Sequence, residues 1–111
     1  MEAGTQAAIR EALDQLWVKF LPQMEERLGV LQVANRALAE GSLSLEQRSD
    51  AVSAAHKLAG VLGTFGLGAG TELAREAEVL CSRDLSAEPE ARKKLDTITM
   101  QLSELVGTRR V

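Results

Sequence analysis

In 111 residues the chain has no tyrosine, one tryptophan, one histidine, one cysteine and two prolines. Each scarcity excludes something. Trp17, Phe20 and Phe65 are the only aromatic side chains, so the core must rest on Leu, Val and Ala, a set that favours helices over sheets. A lone cysteine, Cys81, permits no disulfide within the chain; a reducing, cytoplasmic compartment and a small core residue are the expectation. One histidine and one cysteine do not cluster as metal ligands do, so no metal site is expected. A hydrolase built on Cys81 and His56 has only composition behind it. Nor is there a glycine-rich nucleotide loop, so autonomous kinase activity finds no support. Basic excess is lacking too: 13 Lys and Arg face 16 Asp and Glu, a net charge of −3 that argues against a nucleic-acid partner. The basic end, residues 108–111, holds only two arginines and reads as a frayed terminus. Finally, no apolar run is long enough to span a membrane, and residues 1–10 do not read as a signal peptide.

What remains is an ordinary globular balance, 45% hydrophobic and 26% charged, at a length that suits one domain over residues 1–111 with its own core. Five apolar runs have helical spacing. The first, residues 5–20, carries Ile9, Leu13, Leu16, Trp17 and Phe20, and Pro22 is expected to break it. The second carries Met24, Leu28, Leu31, Ala34 and Leu38 and stops at Gly41. The third opens with Ser44 and Gln47 as a capping box, runs through Leu45, Val52, Ala55, Ala59 and Leu62, fades at Gly63 and stops by Gly66. Residues 66–70, GLGAG, read as a turn. The fourth begins near Thr71 with Leu73, Ala77 and Leu80. A connector follows, with Ser86 as candidate N-cap and Pro89 in a first turn, and then Leu95, Ile98, Leu102, Leu105 and Val106. With short connections, the fold expected is an all-α, antiparallel up-and-down bundle.

The informative stretch is AAHKLAGVLGTFG, residues 54–66. His56, Gly60 and Gly63 fall at i, i+4 and i+7 and share one helix face. A glycine inside a helix costs ~1 kcal/mol relative to alanine. One reason to keep Gly60 is close approach of another surface to the imidazole. The plainer reading is a surface histidine, with glycines that let two helices of the same domain pack.

In order and spacing this stretch resembles the motif of histidine-containing phosphotransfer (HPt) domains. Ala55, His56, Leu58, Gly60 and Gly66 match in register, and LAREAEVL, residues 73–80, is similar to the helix that follows in that family. The resemblance implies a four-helix bundle with an additional N-terminal covering helix, here residues 5–20. It implies a phospho-accepting helix at about residues 44–63. On it, His56 would take a phosphoryl group from a receiver-domain aspartyl phosphate and pass it to another receiver aspartate. It further implies a monomer in the cytoplasm whose partners are response-regulator receivers and a hybrid histidine kinase. The chain itself would hold no cofactor, and Mg²⁺ would sit on the receiver. It would be free-standing or part of a larger regulator.

A neutral imidazole is a good nucleophile near neutral pH, provided its other nitrogen has a partner that fixes the tautomer. Glu78 falls where the family often places that partner; a solvated helix face is the competing reading. The chain departs from the family at Ala59, where a lysine is usual. Lys57 and Arg75 are the cations near enough in sequence to replace it, although Lys57 lies a quarter turn or so from His56 around the helix. The rival function is a silent docking module that binds a receiver or other helical protein through the His56–Gly60 face without carrying phosphate; Ala59, Gly60, Leu62 and Gly63 are the candidate contacts, of which Leu62 reads as core. A histidine-kinase dimerisation domain fits less well, because Lys57 stands where an acidic residue is usual and no proline follows.

Overall fold

The computed structural model describes residues 2–109, with side chains from residue 4 onward. Four helices make up the described chain: α1 (Glu2–Ala39), α2 (Leu45–Thr64), α3 (Gly68–Cys81) and α4 (Pro89–Thr108). α1 packs on α2 and α4, and α3 packs on the same two, so the helices form a ring in chain order. This is the expected up-and-down bundle.

The covering helix is present but not separate. α1 runs through Pro22 without a break, so the first two runs form one helix of 38 residues. Proline deprives the carbonyl four residues earlier of its donor. Here that residue is Val18, and both Val18 and Pro22 lie on the exposed side of α1, where water can replace the lost bond. Trp17 is buried and meets Phe65 edge to face at 5.1 Å, with Phe20 on the same ring at 6.4 Å. This stretch of α1 thus covers the end of the bundle where α2 turns into α3. Residues 4–12 are exposed throughout, so Ile9 is not a core residue, and Leu16 also faces outward.

The second run is buried as its spacing predicts: Met24, Leu28, Leu31, Ala34 and Leu38 all face the core. α1 ends in a Schellman motif. Gly41 takes φ 68°, the Ser42 amide donates to the Ala37 carbonyl at 2.8 Å, and the Gly41 amide to Leu38 at 3.2 Å. The Ser44–Gln47 capping box is formed in both directions, at 3.0 and 2.9 Å. Leu45, expected inside, is 81% exposed. It is the first residue of α2, whose buried residues begin at Ala51.

α2 and α3 also join through a Schellman motif. Gly66 takes φ 71°, and the Leu67 amide donates to the Leu62 carbonyl at 3.0 Å. The GLGAG segment is therefore a turn only in its first two residues, and α3 begins at Gly68. Gly70 lies inside α3 for a packing reason: a Cβ there would stand 3.1 Å from Leu62 and 3.2 Å from Leu105. Ser86 does not cap α4. Its amide is taken by the Asp84 carboxylate at 2.9 Å in an Asx turn, and Glu88 holds the cap position with Pro89 behind it. The C-terminal end is not frayed at Arg109. That guanidinium lies 4.7 Å over Trp17 and pairs with Asp14 at 3.4 Å; Arg110 and Val111 lie outside the described residues.

Candidate functional site

The site is a property of the α2–α3 hairpin. The facing surfaces are built of small residues: Ala55, Ala59, Ala74 and Ala77 are buried, and they let the two helices approach closely. Near the turn Thr71 Oγ1 lies 3.3 Å from both the Ala59 carbonyl across the hairpin and the Leu67 carbonyl of its own helix and shares its one proton between them, and a Cβ on Gly63 would meet the same Oγ1 at 3.5 Å. Two turns further along α3, the pairing reaches His56 and Glu78.

His56 stands 74% exposed, with Nδ1 at 3.1 Å from Glu78 Oε2 and 3.3 Å from Oε1. An ionised carboxylate can only accept. The contact therefore favours the proton on Nδ1, and the Nε2 lone pair of the neutral ring is left unused. No hydrogen bond is made to Nε2 among the described residues. A shallow groove opens beside the ring, with Ala59 and Gly60 along its α2 side and Arg75, Glu78 and Val79 along its α3 side. A Cβ on Gly60 would meet nothing within 4 Å. Packing within the chain thus gives no reason for a glycine there.

The Hpt domain family matches residues 15–108. The chain belongs to the Hpt domain family. Protein RcaC of Microchaete diplosiphon is 30% identical over 92 residues, which are 83% of this chain and 14% of that protein. The chain therefore spans a small part of that curated relative. No solved structure matches it. As an Hpt domain, the chain is a phosphotransfer module of two-component signalling, and the family's partners are receiver domains and histidine kinases.

Within this Hpt domain the structure separates the candidate residues. It brings His56, Glu78, Ala59, Gly60 and Arg75 together in one groove. Lys57 is turned away: it lines a different groove between α1 and α2, with Gln23, Glu26 and Arg27. One residue step rotates the helix by about 100°, enough to move that side chain from α3 to α1. Gly63 stays on the α2 face toward Thr71 but does not line the groove. Ala59 is 7% exposed, so the position expected for a lysine is a buried floor.

Sequence reasoning missed Val52 and Val79, which flank the histidine; Val79 is 63% exposed. A signal for Val79 existed. It is out of phase with the buried Ala77 and Leu80 and the half-buried Leu73, so its helix turns it outward.

Cys81 and Asp84 titrate away from their ordinary values, and neither lines the groove. Burial pushes the Cys81 thiol up to about 11, in keeping with a core residue. The hydrogen bond from the Ser86 amide holds the Asp84 carboxyl below its usual range. Groups of three or more His, Cys, Asp or Glu able to hold a metal are absent among the described residues. Among the same residues no helix is long and apolar enough to cross a membrane.

Proposed function

We propose that His56 is the phosphoryl-accepting nucleophile of this Hpt domain, and that it relays the group between aspartates of receiver domains. The observation that carries this reading is the exposed imidazole held through Nδ1 by Glu78, with Nε2 free. In the forward step the Nε2 lone pair attacks phosphorus of a receiver aspartyl phosphate. The acyl phosphate P–O bond breaks, and its electron pair leaves on the receiver carboxylate. The ring becomes cationic as the N–P bond forms, and the Glu78 carboxylate beside Nδ1–H offsets that charge. In the second step an aspartate oxygen of another receiver attacks the same phosphorus and the N–P electrons return to Nε2. The domain acts as a monomer without a cofactor of its own, with Mg²⁺ on the receiver. Gly60 gives the receiver a smooth approach to the ring, and Val52 and Val79 supply apolar contact beside it.

The test is mass spectrometry of the intact protein and its peptides after incubation with a phosphorylated receiver or a small phosphoryl donor. The expected result is one acid-labile phosphoryl group on His56, absent from His56→Gln. The buried Ala59 in place of the family lysine favours one other reading, a docking module that never carries phosphate. A folded protein that binds a receiver yet takes no label from any donor would establish that reading instead.

A further inference from the structure

The groove beside His56 contains one carboxylate and one guanidinium, Glu78 and Arg75. A phosphoryl group on Nε2 adds ~1.5 to 2 negative charges close to that carboxylate. The site then needs a cation, and the neighbouring cations are engaged or directed elsewhere. Arg48 donates to the Ser82 carbonyl at 3.2 Å, Arg83 pairs with Glu88 at 3.3 Å and Lys94 pairs with Glu76, while Lys57 makes no such bond among the described residues but lines the separate groove between α1 and α2. Arg75 is exposed, and among the described residues it makes no hydrogen bond or ion pair.

Its place follows from the hairpin register. His56 meets Glu78, and near the turn a Cβ on Gly63 would stand 3.5 Å from Thr71 Oγ1. In an antiparallel pair, a step of three residues back along α3 from Glu78 matches a step of three forward along α2 from His56. Arg75 therefore faces Ala59, the one position where the α2 motif would carry a lysine and does not. Ala59 offers only a buried methyl and Gly60 no side chain, so neither obstructs it. An arginine is long enough to cross between helices whose axes lie ~8–10 Å apart.

We propose that Arg75 binds the phosphoryl group in transit at His56, supplying from α3 the positive charge that α2 lacks. Its planar fork of N–H donors suits two phosphoryl oxygens at once. This rests on His56 as the acceptor. The guanidinium touches only the transferring group and plays no part in the fold.

The experiment is the rate of His56 labelling by phosphoramidate, a donor too small to depend on protein docking, followed by intact mass. Wild type is compared with Arg75→Ala and Arg75→Lys, with His56→Gln as blank. Arg75→Ala is expected to label about tenfold more slowly, the scale of a lost hydrogen bond to a charged group. Arg75→Lys is expected to keep the rate within about threefold, because the charge stays. Added salt should slow the wild type and leave Arg75→Ala nearly unaffected. Equal rates and equal salt response in wild type and Arg75→Ala would overturn the proposal while leaving His56 as the acceptor. A slow Arg75→Ala with a lowered thermal midpoint would also overturn it, since the residue would then be structural. A wild type that takes no label from phosphoramidate or from a phosphorylated receiver would remove the reading of His56 itself, and this proposal with it.

Discussion

Removing the Glu78 carboxylate from Nδ1 of His56 has two separable effects. Glu78→Gln keeps an acceptor for Nδ1–H but loses the charge that offsets a cationic ring. Glu78→Ala loses both. Labelling rates should therefore fall in the order wild type, Gln, Ala, with Ala down by about tenfold or more. Nitrogen chemical shifts of the imidazole should show the Nδ1–H tautomer in wild type and Gln, and a shift toward Nε2–H in Ala. Equal tautomer populations in all three would show that the 3.1 Å contact does not orient the ring. At this scale much was legible. The contact of His56 with Glu78 was legible through the family resemblance, which implies a partner on the following helix; spacing alone did not give it. Which cation shares the groove was legible only in part: the offset of Lys57 from His56 around α2 could be read from spacing, but not that it turns Lys57 toward α1. Lys57 is adjacent to His56 in sequence and faces α1; Arg75 is distant in sequence and faces the groove.

The two glycines of the hairpin make opposite demands on their helices. A Cβ at Gly60 projects into open space, so Gly60→Ala should stabilise the fold by ~0.5–1 kcal/mol through helix propensity alone. A Cβ at Gly70 presses on Leu62 and Leu105, both packed in or against the core. Overpacking there opposes the same propensity gain, and Gly70→Ala should cost a net ~1 kcal/mol. Urea unfolding of the two variants checks both signs; two gains would mean that the leucines move aside freely. Element ends were legible where local chemistry decides them, as at Ser44, Gln47 and Gly41. They were misread where packing decides them. Gly68 and Gly70 look like turn residues, yet they start a helix that two leucines hold in place. Ser86 looks like a cap, yet α4 starts three residues later at Pro89, with Glu88 in the cap position. Pro22 looks like a break, yet the break does not come because the orphaned carbonyl belongs to an exposed turn.

At the scale of the molecule, α1 joins what the sequence seemed to divide. Its middle closes the bundle end through Trp17, Phe20 and Phe65, and Arg109 seals that corner from the other terminus. Up-and-down topology and the second run's core residues could be read from spacing alone. The length of α1 could not, because proline statistics describe an average helix rather than an exposed turn. That length dominates the shape. The radius of gyration is 15.6 Å, against ~13 Å for a compact domain of this size. The long dimension, 57 Å, equals 38 residues at about 1.5 Å each, which is α1 itself. Such a body rotates slowly end over end and quickly about its long axis. Amide N–H bonds lie near the helix axes, so in ¹⁵N spin relaxation the helices should share a high R2/R1 ratio. Amides whose N–H bonds point across that axis should fall below it. Residues on the two sides of Pro22 should relax alike, and a lower ratio confined to the N-terminal side would reveal a joint in that helix.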